Sequence, residues 1–177
     1  MLGVVLLLVI GGGYALWHAH QSDTKTSGLK VIATKPGTVT AACKVFTLDD
    51  AKKVLGSSAI STPATPSTST SAMDVSNCVY SNGSSDSNSI QTASILLRTP
   101  KNDTGKNANI SQFQSQKPAN VQTVNGYGQA AFWSSQYGQL NVLKNNSWVI
   151  LSIGPIDTSA HTLSQTEQLA SVVVPKI

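Results

Sequence analysis

Residues 43–56 read CKVFTLDDAKKVLG and bring a thiol at Cys43, ammonium groups at Lys44, Lys52 and Lys53, and adjacent carboxylates at Asp49 and Asp50 into one short stretch. A cysteine beside a lysine, just ahead of a helix start, has the setting in which a thiolate nucleophile forms. Paired carboxylates are the raw material of general acid–base catalysis. Both chemistries need more than is present. A catalytic cysteine requires a base, and the one histidine downstream of Cys43 is His161, with no motif to place it nearby. The chain has two cysteines, Cys43 and Cys78, both following an export-like segment, so a disulfide between them is the economical reading. Closing a loop of about 35 residues would stabilise the fold by roughly 4 kcal/mol on the chain-entropy model.

The acids have a structural reading as well. Thr47 is placed to cap a helix, with Asp50 three residues on as in a capping box. Both carboxylates then lie in the first turn, where the helix dipole favours negative charge. Lys52 and Lys53 fall nearer the other end and Gly56 supplies a terminus, while Leu48, Ala51 and Leu55 share a face directed at the core.

Asp157 and His161 supply two members of a hydrolase triad, but no Gly-x-Ser-x-Gly elbow accompanies them. GYGQAA at 126–131 fits a dinucleotide fingerprint formally. That motif works only where a strand ends and a helix begins, and AAFWSSQYG reads as strand, so Gly126 and Gly128 are expected to shape a turn or bulge. DSNSI at 86–90 starts like a calcium loop and lacks its glycine and closing glutamate. His18 and His20 have no carboxylate or thiol beside them and read as residues of a membrane interface. No catalytic residue, cofactor or metal ligand is therefore assigned. Trp133, Tyr137 and Trp148 remain as a possible ligand or partner surface, against the alternative that aromatics on strands belong to the core.

The elements that would position these residues emerge from composition and periodicity. Charged residues are 11% of the chain, well under the roughly 25% usual for globular proteins, and Ser, Thr, Asn and Gln replace them. That style of surface is typical of exported proteins. The net charge of +4 comes from scattered lysines, and Arg98 is the only arginine, which argues against nucleic-acid binding and leaves room for diffuse attraction to an anionic envelope polymer.

The first seventeen residues, MLGVVLLLVIGGGYALW, carry no charge and are long enough for a transmembrane anchor, with a cleaved signal peptide as the alternative. No cysteine closes the run, so a lipoprotein anchor is excluded. Residues 18–42 read as a flexible tether, and 43–177 as one extracytoplasmic domain with a disordered Ser/Thr/Pro loop at 57–72.

Within the domain, 75–81 and 90–98 predict a hairpin joined by an open loop at 82–89, the second strand being central. A short helix is expected over 107–116. Strands follow at 121–124, 130–135, 138–144 and 147–153, with Asn145 and Asn146 making a tight turn. A final helix over 164–173 is expected to be capped by Ser164 with Glu167 and stopped by Pro175. The fold class is α+β, a mostly antiparallel sheet flanked by two or three helices and preceded by the N-terminal transmembrane helix.

Cys43, Thr47-Leu48-Asp49-Asp50-Ala51, Leu55-Gly56, Cys78-Val79-Tyr80, Gly126-Tyr127-Gly128 and Ala131-Phe132-Trp133 together resemble a family of small exported bacterial domains, the actinobacterial-type lipoprotein or secreted domains of unknown function. The resemblance runs from Cys43 to Ile177 and implies a PsbP/Mog1-like fold, an antiparallel sheet flanked by helices. This chain departs from it in having an apolar anchor where a lipidated cysteine would stand, and the resemblance brings no catalytic residue. The expectation is a membrane-tethered binding domain of the cell envelope, contacting an envelope protein, wall polymer or lipid. The alternatives are an envelope hydrolase around Asp157 and His161, or a structural accessory subunit of a membrane complex.

Overall fold

The computed structural model describes residues 41–62, 67–119 and 121–177. The expected anchor over 1–17, and all but the last two residues of the tether over 18–42, lie outside the described residues. Among the described residues no helix is long and apolar enough to cross a membrane.

Eight strands form one sheet in the order β1-β3-β4-β8-β7-β6-β5, with β2 also on β3, and every pairing is antiparallel. They are β1 (Ile60–Ser61), β2 (Thr68–Ser69), β3 (Met73–Ser81), β4 (Gln91–Pro100), β5 (Gln122–Thr123), β6 (Ala130–Ser134), β7 (Gln139–Lys144) and β8 (Ser147–Pro155). The helices are α1 (Ala41–Val45), α2 (Leu48–Leu55), α3 (Asp103–Ser115) and α4 (Leu163–Val173).

Strand β4 is central, between β3 and β8, as its lack of a polar face predicts. The β7–β8 connection is the two-residue turn expected of Asn145 and Asn146, whose φ values are 49° and 61°. Because side chains alternate across a strand, the register divides the sheet into two faces. One carries Cys78, Tyr80, Ala93, Ile95, Leu97, Val149, Leu151, Leu140, Val142 and Trp133 into the main core, where Phe46 and Ala51 of the first helical segment and Leu169, Ala170 and Val173 of α4 meet them. The opposite face holds a smaller cluster of Phe132, Leu143 and Trp148 under Phe113 of α3.

Four departures from the sequence reading have physical causes. Among the described residues there are four α-helices where two or three are expected, since α1 takes residues 41 and 42 from the tether. It is held by tertiary contacts that five residues cannot announce, including an Ala42 N–H donated to Ser76 Oγ at 3.0 Å. Residues 57–72, expected as loop throughout, contain β1 and β2, which add to the edge of β3 through backbone pairing. Helix α3 begins at Asp103 under an Asn102 cap, earlier than the apolar spacing indicates. The cap of α4 is Thr162, whose hydroxyl accepts from the Gln165 N–H, in place of Ser164 with Glu167. Pro175 does end that helix, inside the 3-10 turn Val174–Lys176.

The capping box at Thr47 is present and is larger than local sequence suggests. Asp50, buried in α2, accepts from Thr47 N–H at 3.1 Å, Thr47 Oγ1 at 2.7 Å and Lys53 Nζ at 3.2 Å, and forms an ion pair with Lys176 from the chain's last turn. Burial opposes ionisation of this carboxyl, but the bonds from Lys176, Thr47 and Lys53 outweigh it and hold the group well below the usual carboxylate range. The two lysines are partly exposed, so solvent screening tempers the ionic part.

Asp50→Asn is expected to cost about 2 kcal/mol at pH 7, from the lost cap and charge-assisted bonds. The carboxyl gives up its proton more readily folded than unfolded, so its contribution is complete above the ordinary value of 3.8 and is lost on acidification below it. Urea denaturation of both proteins from pH 7 to pH 2 should show the difference between them shrinking below pH 3.8. A constant difference would mean the charge is not what stabilises.

Candidate functional site

The opening cysteine is not available as a nucleophile. Cys43 and Cys78 form a disulfide with Cα atoms 5.0 Å apart and a sequence separation of 35. The adjoining Phe46 is fully buried, its ring edge-on to Tyr80 at 5.0 Å, and its carbonyl accepts from the Tyr80 hydroxyl at 3.2 Å. Burial and the nearby Asp50 charge push that phenol's pKa up, which keeps it a donor. The whole stretch is a clamp between helix and sheet.

The three candidate aromatics do not form a platform. Trp133 is 7% exposed in the main core, and Trp148 is 2% exposed on the opposite face, where its indole N–H donates to Asn141 Oδ1 at 3.1 Å. Only Tyr137, 45% exposed in the β6–β7 turn, is open to a partner. Residues 133 and 148 sit on strands whose register gives them opposite parity, and single-sequence reading could not fix that register.

Asp157 and His161 lie close in sequence but engage different partners. Asp157 caps the 3-10 turn Thr158–Ala160, its Oδ1 accepting from Ser159 N–H at 2.9 Å and Ser159 Oγ at 2.7 Å. The His161 ring reaches across the sheet end. Its Nε2 is 2.7 Å from the Pro155 carbonyl, which can only accept, so this nitrogen carries a proton. Its Nδ1 is 2.9 Å from Ser152 Oγ and 3.2 Å from the Gly138 carbonyl. Ser152 Oγ also bonds that carbonyl, at 2.8 Å. Gly154, at φ 151°, lets the ring in, because a Cβ there would come within 2.4 Å of His161 Cδ2. Serine and histidine thus meet as a latch over strand ends, without Asp157 behind the imidazole.

The Gly-rich loop at 125–129 joins β5 to β6, so it has a strand on both sides and no helix N-terminus to hold a phosphate. Gly128, at φ 60°, is required by the close approach of the Leu143 carbonyl, 2.4 Å from where a Cβ would lie. Between this loop and the end of α3 is a shallow cleft of about 220 Å³, walled by Phe113, Lys117, Tyr127, Gln129 and Phe132. Neither carboxylate, thiol nor imidazole lines it. Among the described residues no group of three or more His, Cys, Asp or Glu is placed to hold a metal ion.

The side chain that sequence reading passed over is Arg98. Its place in the sheet depends on register, which composition does not reveal. Arg98 stands on β4 opposite Trp148 of β8, on the face away from the main core. Its guanidinium lies over the Trp148 ring at 5.3 Å, and Nε–H donates to Asn109 Oδ1 at 3.1 Å. Asn109, fully buried in α3, is itself fixed by donating to the carbonyls of Arg98 at 3.1 Å and Asn146 at 2.9 Å. Burial lowers the pKa of this guanidinium, and no carboxylate among the described residues pairs with it.

Compared with family models, curated proteins and solved structures, the chain matches none.

His161→Ala should destabilise the domain by about 1–3 kcal/mol in urea, because it strips bonds from Ser152 and the Pro155 carbonyl. Asp157→Ala should cost no more than about 1 kcal/mol, the worth of an exposed cap. The reverse order would show that Asp157 supports the imidazole as in a triad.

Proposed function

We propose that this chain is a membrane-tethered, extracytoplasmic binding module of the bacterial cell envelope. Its N-terminal apolar segment serves as the anchor, residues 18–40 as the spacer, and the α+β domain as the part that contacts an envelope protein, wall polymer or lipid. The observation that carries this reading is the Cys43–Cys78 disulfide, which consumes both cysteines of the chain. Such bonds persist in oxidising compartments and are rare in the reducing cytosol. The charge-poor, Ser/Thr/Asn-rich surface and the uncharged N-terminal run support the same placement. The α+β architecture fits the resemblance to exported bacterial domains, with the PsbP/Mog1-like fold as its finer form.

Binding is favoured over catalysis by how the reactive side chains are employed. Cys43 is in the disulfide, Asp50 is bound by Thr47 and two lysines, Asp157 caps a turn and His161 is packed over glycine. Each has a structural partner, so a reaction would have to break the fold to use them. The open part of the sheet around Arg98 is where the fold leaves polar capacity unspent.

Protease added to intact cells or spheroplasts of the native host should degrade the domain while cytoplasmic markers survive, and the chain should fractionate with membranes. Protection of the domain until the membrane is permeabilised would overturn this placement.

A further inference from the structure

We infer that Arg98 anchors a binding site for a carboxylate or phosphate group, borne on a partly apolar body that lies along the part of the sheet that no described helix covers. This rests on the binding reading and supplies its ligand chemistry. A guanidinium has five N–H donors in a rigid fork matched to two oxygens of a carboxylate or phosphate. Here only Nε–H is taken, by Asn109 Oδ1, and the terminal nitrogens make no hydrogen bond to any described residue.

The arrangement is built to aim that fork. Trp148 supports the cation from one side, and Asn109 cannot turn away, because its own Nδ2 is committed to two carbonyls on different strand ends. A half-buried cation without an acid is costly, and proteins retain such groups where a ligand supplies the countercharge. The acidic side chains of the described residues are engaged or placed elsewhere. Asp74 is with Lys101, Asp103 with Lys106 and Asp50 with Lys176, Asp49 and Glu167 are on α2 and α4 over the other face, and Asp86 and Asp157 cap turns beyond the strands' other ends.

Register describes the floor beside Arg98. Leu96 follows two residues back on β4, flanked by Asn77 of β3 and Ile150 of β8, and the next row is Val79, Ser94 and Ser152. All six are half-buried, on the face that α3 covers only at the Trp148 and Phe132 end. An anionic head on Arg98 would therefore place an attached hydrocarbon against Leu96 and Ile150, and any hydroxyl groups near Ser94.

Isothermal titration of the full chain, disulfide intact, with inorganic phosphate, butyl phosphate, acetate and hexanoate tests the assignment. Saturable binding of at least one anion is expected. Butyl phosphate is expected to bind more tightly than phosphate, and hexanoate more tightly than acetate, because of the apolar floor at Leu96 and Ile150; equal binding within both pairs overturns the apolar body. Arg98→Gln keeps a nitrogen at the Nε position for Asn109 but removes charge and fork, and should weaken binding tenfold or more without unfolding the protein. Arg98→Lys, which keeps charge alone, should recover only part. Absence of saturable binding by all four anions, or full binding by Arg98→Gln with native circular dichroism, overturns the site. Neither result touches the cellular placement, which the protease experiment decides separately.

Discussion

The link on which the rest of the domain depends is the covalent tie between Cys43 and Cys78. It fixes α1 against β3, the strand beside the sheet's central strand, and so sets where Phe46 enters the core and where α2 begins. From there the constraint passes to the far end of the chain. Asp50 in α2 holds Lys176 in the last turn, Lys144 Nζ donates to the Val174 carbonyl at 2.7 Å, and Asn145 donates to the Ile177 carbonyl at 3.0 Å. Both ends of the domain are thereby fastened to the sheet. A bond closing a loop of this size is worth about 4 kcal/mol on the chain-entropy model, a large share of the 5–15 kcal/mol typical of a domain.

That fastening makes the two faces of the sheet unequal. One is closed by α1, α2 and α4 over a continuous apolar core that includes Leu140, Val142, Val149 and Leu151, none with measurable exposure. Of the described helices the other receives α3 alone, and beyond Phe113 and Trp148 it carries half-buried Leu96, Ile150, Ser94 and Ser152. Stability is concentrated on the first face. The second can carry an arginine without an acid and polar side chains on strands without the fold failing, which is where a binding surface can be accommodated.

Much of this was legible in the chain. The alternation in 75–81 and 90–98 gave the central hairpin, Asn145-Asn146 gave a turn, and Thr47 with Asp50 gave a capped helix, because each is a local signal acting through local geometry. What escaped depends on partners distant in sequence. β1 and β2 exist by pairing their backbones with β3, α1 by its contacts with Ser76 and Cys78, and the burial of Asp50 by a lysine 126 residues away. The aromatic candidates failed for the same reason. Trp133 and Trp148 look alike in sequence, yet one-residue parity sends them to opposite faces, while the same register brings Arg98 onto Trp148.

The proposed extracytoplasmic placement requires an oxidising compartment, in which Cys43 and Cys78 stay joined. Alkylation of free thiols at the moment native cells are lysed, followed by peptide mass spectrometry without reduction, tests it most directly. A single disulfide-linked pair of peptides containing Cys43 and Cys78, with neither cysteine alkylated, is expected. Recovery of both residues as alkylated thiols would contradict it.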